Sequence, residues 1–277
     1  MKEGQWYPGN MARAVTRLRQ DIKIVDLVVE LLDARIPKSS HNPSFAGLVG
    51  GKKHLILLHK ADRAEDAATE SWLSYFNDTG KEAMAFSVHN KFYLTRLLRH
   101  LKKEEQNIKS GRLKRPLRMI IVGIPNVGKS TMINYFVNKS VTKTGNQPGV
   151  TRGRQWIRIT PGLELLDTPG ILWPKIDEET SWPLAVVGAI PPSRIDIQQL
   201  AQRLIAFYLE RGKEKLIIER YSGVAVGSAE KMLADIGLLH GCLLPEGKVD
   251  LDRSSALLLH DFQGGLLGQV TLEFPQS

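Results

Sequence analysis

The eight residues Gly123-Ile124-Pro125-Asn126-Val127-Gly128-Lys129-Ser130 combine two glycines, a lysine and a hydroxyl at a spacing that can hold phosphate. Glycines let backbone N–H groups close around phosphate oxygens, and the N-terminus of a following helix adds positive potential. Lys129 can then reach the outer phosphates and Ser130 can ligate magnesium. Asn126, Val127, Gly128, Lys129, Ser130 and Thr131 are therefore expected to line a nucleotide. Asp167-Thr168-Pro169-Gly170 ends the apolar run LELLD. There Asp167 could hold magnesium through water, and the Gly170 N–H would face the γ-phosphate and sense its presence. Between the two motifs, Thr151 in QPGVTRG is the candidate for a switch threonine that closes over magnesium, with a plain turn as the alternative.

A second constellation comes earlier in the chain. The run LILLHKADRA stops at His59-Lys60-Ala61-Asp62. Asp62 offers two acceptor oxygens at a strand end, as needed to take the N1 and N2 protons of guanine, a donor pair that adenine lacks. Lys60 would lay its aliphatic stem over the base, and His59 can donate one N–H toward N7 but lacks the two-ended amide of an asparagine. Ser87-Val88-His89 would set backbone N–H groups against the base carbonyl. The alternative for His59-Lys60-Ala61-Asp62 is a strand end running into a helix cap.

These residues need a scaffold that brings strand ends together. The runs IVDLVVELLDARIP, HLILLHK, EAMAFSV and LRMIIVG are strand-like, and DAATESWLSYFNDTG and TRLLRHLKKEEQ between them are helical. Strands alternating with helices at this spacing predict a doubly wound, mostly parallel α/β sheet. After WPKIDEETSWPLAVVGAIPP, amphipathic helices such as IQQLAQRLIAFYLERG take over, ending in a strand-like tail GQVTLEF. Two domains are expected, residues 1–178 and a smaller helical domain over 179–277. The base-reading half precedes the phosphate-binding half, so the same pocket is written in rotated order. Chain termini of compact domains often lie close together, which permits such a rotation.

Composition narrows the class. The single cysteine, Cys242, excludes an intramolecular disulfide and a cysteine cluster for zinc, and the histidines show no metal-ligand spacing. No apolar run is long enough to span a membrane, and the segment MKEGQWYPGN lacks a signal-peptide core. A soluble cytoplasmic protein without membrane contact is expected. The net charge of +9 favours a polyanionic partner. Residues 181–277 hold 9 Lys and Arg against 11 Asp and Glu, whereas the whole chain holds 38 against 29, so the positive surplus lies entirely within residues 1–180. One dense basic cluster comprises Arg96, Arg99, Lys102, Lys103, Lys109, Arg112, Lys114, Arg115 and Arg118, readable as an RNA contact or as a solvated face.

WYPGNMARA, LLDARIP, HKAD, GIPNVGKST, GNQPGVTRG and DTPGIL, in this order, resemble the YlqF/RbgA family of circularly permuted GTPases. The resemblance covers nearly the whole chain. It implies a circularly permuted P-loop GTPase followed by a helical domain, magnesium-dependent GTP hydrolysis, and potassium activation through the P-loop asparagine, here Asn126. It also implies a protein that cycles between GTP and GDP on a precursor of the large ribosomal subunit, touching rRNA and ribosomal proteins; a monomer is expected. In the family, water positioning falls to a histidine in the YPG motif. This chain has Asn10 there, which can orient water but cannot take up its proton near neutral pH. Lys129, Thr151 and Asn10 are thus the expected catalytic groups. A nucleotide-gated assembly factor with little or no hydrolysis is the alternative, and an ATPase or kinase is a third reading, suggested by His59.

Overall fold

The computed structural model describes residues 8–42, 45–109, 115–144, 156–166, 177–191 and 195–275. The chain divides into two compact units, Asp177–Val270 in one and Gln5–Ile176 with Thr271–Ser277 in the other. The second carries the strands β1 Leu27–Asp33, β2 Lys53–His59, β3 Glu82–Phe86, β4 Leu117–Gly123, β5 Trp156–Thr160 and β6 Leu163–Leu166. Its helices are α1 Pro8–Lys23, α2 Pro37–Ser40, α3 Phe45–Val49, α4 Asp66–Asp78, α5 Lys91–Lys109 and α6 Lys129–Thr144. The other unit holds α7 Glu178–Val186, α8 Ile197–Glu210, α9 Glu214–Arg220, α10 Ala229–Leu239 and α11 Leu251–Gly264.

The strands form one sheet in the order β3-β2-β1-β4-β6-β5, parallel except for β5. Strands buried on both faces cannot alternate polar and apolar residues, and β1 (LVVELLD) is buried at every position. The chain adds β2 and β3 on one side of β1, then returns to place β4 on the other. Right-handed crossovers convert that reversal into helices on both faces. On one face, Trp72, Leu73 and Phe76 of α4 pack with Leu32, Ile56, Leu58, Ala83 and Ala85. On the same face, Leu18, Ile22, Phe45 and Val49 pack with Val28, Ile120 and Val122.

The topological reversal lies between β1 and β4, where open α/β sheets form their ligand crevice beyond the carboxyl ends of the strands. Register fixes what stands there. Asp33 is opposite His59, His59 is opposite Phe86, and Leu31 is opposite Gly123. All the motifs that follow these residues therefore open on one edge of the sheet. Gly123 has φ +155°, and a Cβ on it would lie 2.5 Å from the Leu31 carbonyl oxygen, so only glycine lets β4 end this close to β1.

In the helical unit, Asp177, Asp196, Ser228 and Asp250 cap α7, α8, α10 and α11 with side-chain bonds to backbone N–H groups. The tail expected as a strand joins no sheet. Its backbone donates from Leu272 N to the Arg35 carbonyl at 2.8 Å and from Thr271 N to the Glu65 carboxylate at 3.2 Å. Arg35 already lies past the end of β1, and Pro275 has no N–H to extend a ladder.

Candidate nucleotide site

The phosphate-binding candidates sit between β4 and α6. Lys129 is the first residue of α6, 7% exposed, and its ammonium donates to the carbonyls of Gly123 at 3.0 Å and Ile124 at 2.7 Å. The side chain thus curls back through its own loop. Val127 is buried beneath the loop, while Ser130 and Thr131 are exposed at the helix start. Asn126, with φ 59°, turns the loop in the left-handed region, which asparagine tolerates better than other non-glycine residues.

The base-side motif meets this loop directly. Lys60, also left-handed at φ 61°, ends the run of β2 and sends its ammonium to Asp33 Oδ2 at 2.9 Å and to the Asn126 carbonyl at 3.1 Å. The imidazole of His59 is 3% exposed and lies against Gly128, where a Cβ would sit 2.4 Å from Nε2. Gly128 therefore serves the approach of the histidine as well as the turn, at φ +110°. Burial, and then the neighbouring Lys60 charge, push the His59 pKa down to about 4, so the ring is neutral near pH 7. Among the described residues its Nδ1 is buried without a hydrogen-bond partner.

Asp33 and Arg35 complete the arrangement, and no role for either was drawn from the sequence. Asp33 Oδ1 accepts from Arg35 Nε at 2.9 Å and from the Arg35 backbone N–H at 3.1 Å. Asp33 Oδ2 accepts from the Arg35 guanidinium at 2.8 Å as well as from Lys60. Burial alone would raise the Asp33 carboxyl, but the Arg35 and Lys60 charges and their hydrogen bonds hold it well below the usual carboxylate range. The signal was present, since a carboxylate ends the apolar run LVVELLD just as Asp62 follows LILLH.

Asp62 is exposed in the 3-10 turn Ala61–Arg63, with its carboxylate 3.8 Å from Arg63 Nε. Ser87 is buried, and its hydroxyl accepts the His89 N–H at 3.1 Å, which turns the chain just after β3. Val88 lies between them, half-buried. The structure joins His59 and Lys60 to the phosphate loop. It places Asp62 and Ser87-Val88-His89 at the same sheet edge through β2 and β3. Thr151, Asp167 and Gly170 lie outside the described residues, as does the side chain of Asn10, whose backbone belongs to α1. The exposed Ser130 hydroxyl, one residue after Lys129, is an oxygen donor of the kind magnesium takes.

Comparison with known proteins gives the family of the chain. A protein named Ribosome biogenesis GTPase A from Bacillus cereus is 39% identical over 280 residues, covering 99% of this chain and 94% of that protein. The chain belongs to the ribosome biogenesis GTPase A family. The Thermotoga maritima member is 32% identical over 98% of this chain and 95% of its own. The family model for 50S ribosome-binding GTPases matches residues 118–220. The crystal structure of GNP-bound YlqF from T. maritima superposes with a TM-score of 0.66 at 28% identity, covering 95% of this chain and 99% of that one. The fold is thus that of a circularly permuted GTPase, with the phosphate loop after β4 rather than after the first strand. Among the described residues, no helix is long and apolar enough to cross a membrane.

Proposed function

We propose that this ribosome biogenesis GTPase A family member binds GTP along the carboxyl edge of β4, β1 and β2. It hydrolyses GTP to GDP and phosphate, slowly when alone, and acts as a cytoplasmic monomer on a precursor of the large ribosomal subunit. The observation that carries the reading is the Lys60 ammonium, bonded at once to Asp33 and to the Asn126 carbonyl. It ties the base-side and phosphate-side motifs, 66 residues apart in sequence, into a single site.

Each group has a physical task. Lys129 exchanges its loop carbonyls for β- and γ-phosphate oxygens and neutralises charge as the terminal bond breaks. The backbone N–H groups of residues 126–131 cradle the phosphates at the start of α6. Lys60 lays its stem along the base, Asp62 accepts the two guanine donors, and His59 braces Gly128 from below. Ser130, together with Thr151 and Asp167, would hold magnesium, which when bound would supply Lewis-acid charge at the phosphates. Asn126 would hold potassium, and Asn10 orients the attacking water. Gly170 and Thr151 report the γ-phosphate to the residues that follow.

The test is GTP turnover with and without purified large ribosomal subunits, in potassium buffer with magnesium, comparing the wild type with Lys129→Ala. Turnover that rises with subunits and vanishes in the variant is expected. Equal turnover by both proteins at every subunit concentration would remove the assignment. Competition of GTP and ATP for a fluorescent analogue checks the base choice, and ATP winning would remove Asp62 from its role.

A further inference from the structure

A second surface lies on α5. Phe92, Arg96, Arg99 and Lys103 recur at steps of four, three and four residues, so they share one face of the helix. All four are exposed, Phe92 to 67%. Of the acidic groups beside the stripe, Glu82 lies 3.3 Å from His100 Nδ1 and Glu104 pairs with Lys53. Among the described residues, Arg96, Arg99 and Lys103 have no ion-pair partner. A merely solvated helix face interleaves its charges, because like charges three and four residues apart repel and weaken the helix. Here three cations in succession face the same way.

The stripe also borders a depression. Arg96, Arg99 and Lys103 form one wall of an open groove of about 460 Å³, with Asn77, Glu82 and Met84 opposite. β3, on its floor, is the edge strand of the sheet. Glu82 begins β3 and Phe86 ends it, so the groove, which runs along β3 from Glu82 to Met84, ends about 7 Å short of the edge that carries the nucleotide motifs. None of its cations belongs to the GTP site.

We propose that this groove binds RNA, with phosphodiester groups against Arg96, Arg99 and Lys103 and an unpaired base stacked on Phe92. Guanidinium forks match phosphate oxygens two at a time, so the stripe can hold a phosphate chain, and the choice against carboxylates falls to the aromatic. An exposed aromatic in line with the cations supplies the stacking platform that single-stranded RNA uses and an acidic polypeptide does not. The source of the RNA rests on the ribosomal reading above; the groove itself does not.

Fluorescence anisotropy with a short, labelled single-stranded RNA of mixed sequence, over a series of salt concentrations, tests the assignment. The double substitution Arg99→Gln with Lys103→Gln is expected to weaken binding about tenfold or more and to reduce the slope of log affinity against log salt by about 1.4, two lost phosphate contacts at about 0.7 each. Phe92→Ala is expected to weaken binding at least about fivefold with the slope unchanged. GTP turnover without ribosomes and the melting temperature should match the wild type in the double variant. An unchanged slope in the double variant, or no RNA binding by the wild type, overturns the proposal. So does polyglutamate competing as well as RNA with no effect of Phe92→Ala, which would assign the groove to an acidic polypeptide. Co-sedimentation with large ribosomal subunits separates the two readings. If both proteins sediment with subunits and the double variant keeps the wild-type RNA slope, the groove assignment fails and the ribosomal one stands. If the wild type binds RNA with the expected slope but does not sediment with subunits, the ribosomal reading fails and the groove stands.

Discussion

His59 should make the protein acid-sensitive in a way that one substitution removes. Its imidazole is 3% exposed, packed on Gly128 and tilted against Phe86 with ring centroids 5.3 Å apart, and among the described residues its Nδ1 has no partner. A charged ring there would have Lys60 as a neighbour and little water, so the folded protein resists protonation down to about 4, against 6.5 for a free histidine. Above both values neither state takes up the proton and the group leaves stability flat. Between them only the unfolded chain does, so stability falls as the pH drops, and below both the loss is complete. At 1.36 kcal/mol per pH unit the full loss is about 3 kcal/mol, of which about 2 kcal/mol falls between about pH 7 and about pH 5. That is a large fraction of the roughly 5–15 kcal/mol that holds a typical domain folded. Denaturant unfolding of the nucleotide-free protein at those two pH values, in the wild type and in His59→Asn, measures it. Asparagine does not titrate, so the difference between the two pH dependences isolates this ring from Glu273, whose carboxyl is raised by burial and shifts stability the opposite way on acidification. Parallel pH dependences in the two proteins would refute both the buried neutral ring and its packing on Gly128.

Asp33→Ala would leave the Arg35 and Lys60 charges buried beside no carboxylate, and a loss of about 3–5 kcal/mol in unfolding free energy is expected; a loss below about 1 kcal/mol, the scale of an ordinary surface change, would show that the cluster is not what holds the loop. Asn126→Gly should raise stability by up to about 1 kcal/mol by relieving φ 59°. The same change should abolish the difference between GTP turnover in potassium and in sodium, so a retained potassium preference would clear Asn126 of cation binding. Removing residues 271–277 takes away the Glu273 bonds to Ser39, the Thr271 bonds to Glu65 and the Leu272 bond to Arg35. A stability loss of about 2 kcal/mol or more, with GDP affinity reduced several-fold, is expected from unfolding curves and fluorescent-GDP titration, at about 1 kcal/mol for each lost bond less the chain entropy regained; unchanged GDP affinity would confine the tail to a structural role.

The sheet was legible in the sequence because strands buried on both faces have to be continuous apolar runs, and LVVELLD, LILLH and RMIIV can be little else between turn signals. The phosphate loop was legible because its backbone geometry demands glycine at Gly123 and Gly128. What stayed hidden depends on register and on long closure. Nothing local says that Asp33 stands opposite His59 across a parallel pair, or that a left-handed Lys60 turns its side chain back to reach it. The tail is a clearer case. GQVTLEF alternates like a strand, yet Leu272 makes a single ladder-like bond and Glu273 reaches Ser39 across 234 residues of sequence. By residue type alone, His59 is a one-donor stand-in for an amide at the base. In the structure its ring fills space beneath Gly128, a consequence of burial that the residue type alone does not carry.

The rotated order of the chain gives these contacts a common logic. In the sheet, β1 and β4 are neighbours, so the residues that follow β1 stand beside the phosphate loop although about 90 residues separate them in sequence. Asp33 exploits that position. It is the acceptor for Arg35 on one side and for Lys60 on the other, and Lys60 in turn holds the Asn126 carbonyl. On the far side, the Arg35 carbonyl takes the Leu272 N–H. Four successive contacts therefore run from the last residues of the chain to the loop that carries Lys129. Two of them are charge-assisted and buried, where a misplaced partner leaves an uncompensated charge and so resists small displacements. A polar cluster of this kind specifies one position for the loop more sharply than apolar packing would, because its bonds demand direction as well as proximity. The same demand explains why the two left-handed residues, Lys60 and Asn126, are tolerated face to face: each strained backbone sets one end of the bond that joins the halves of the site.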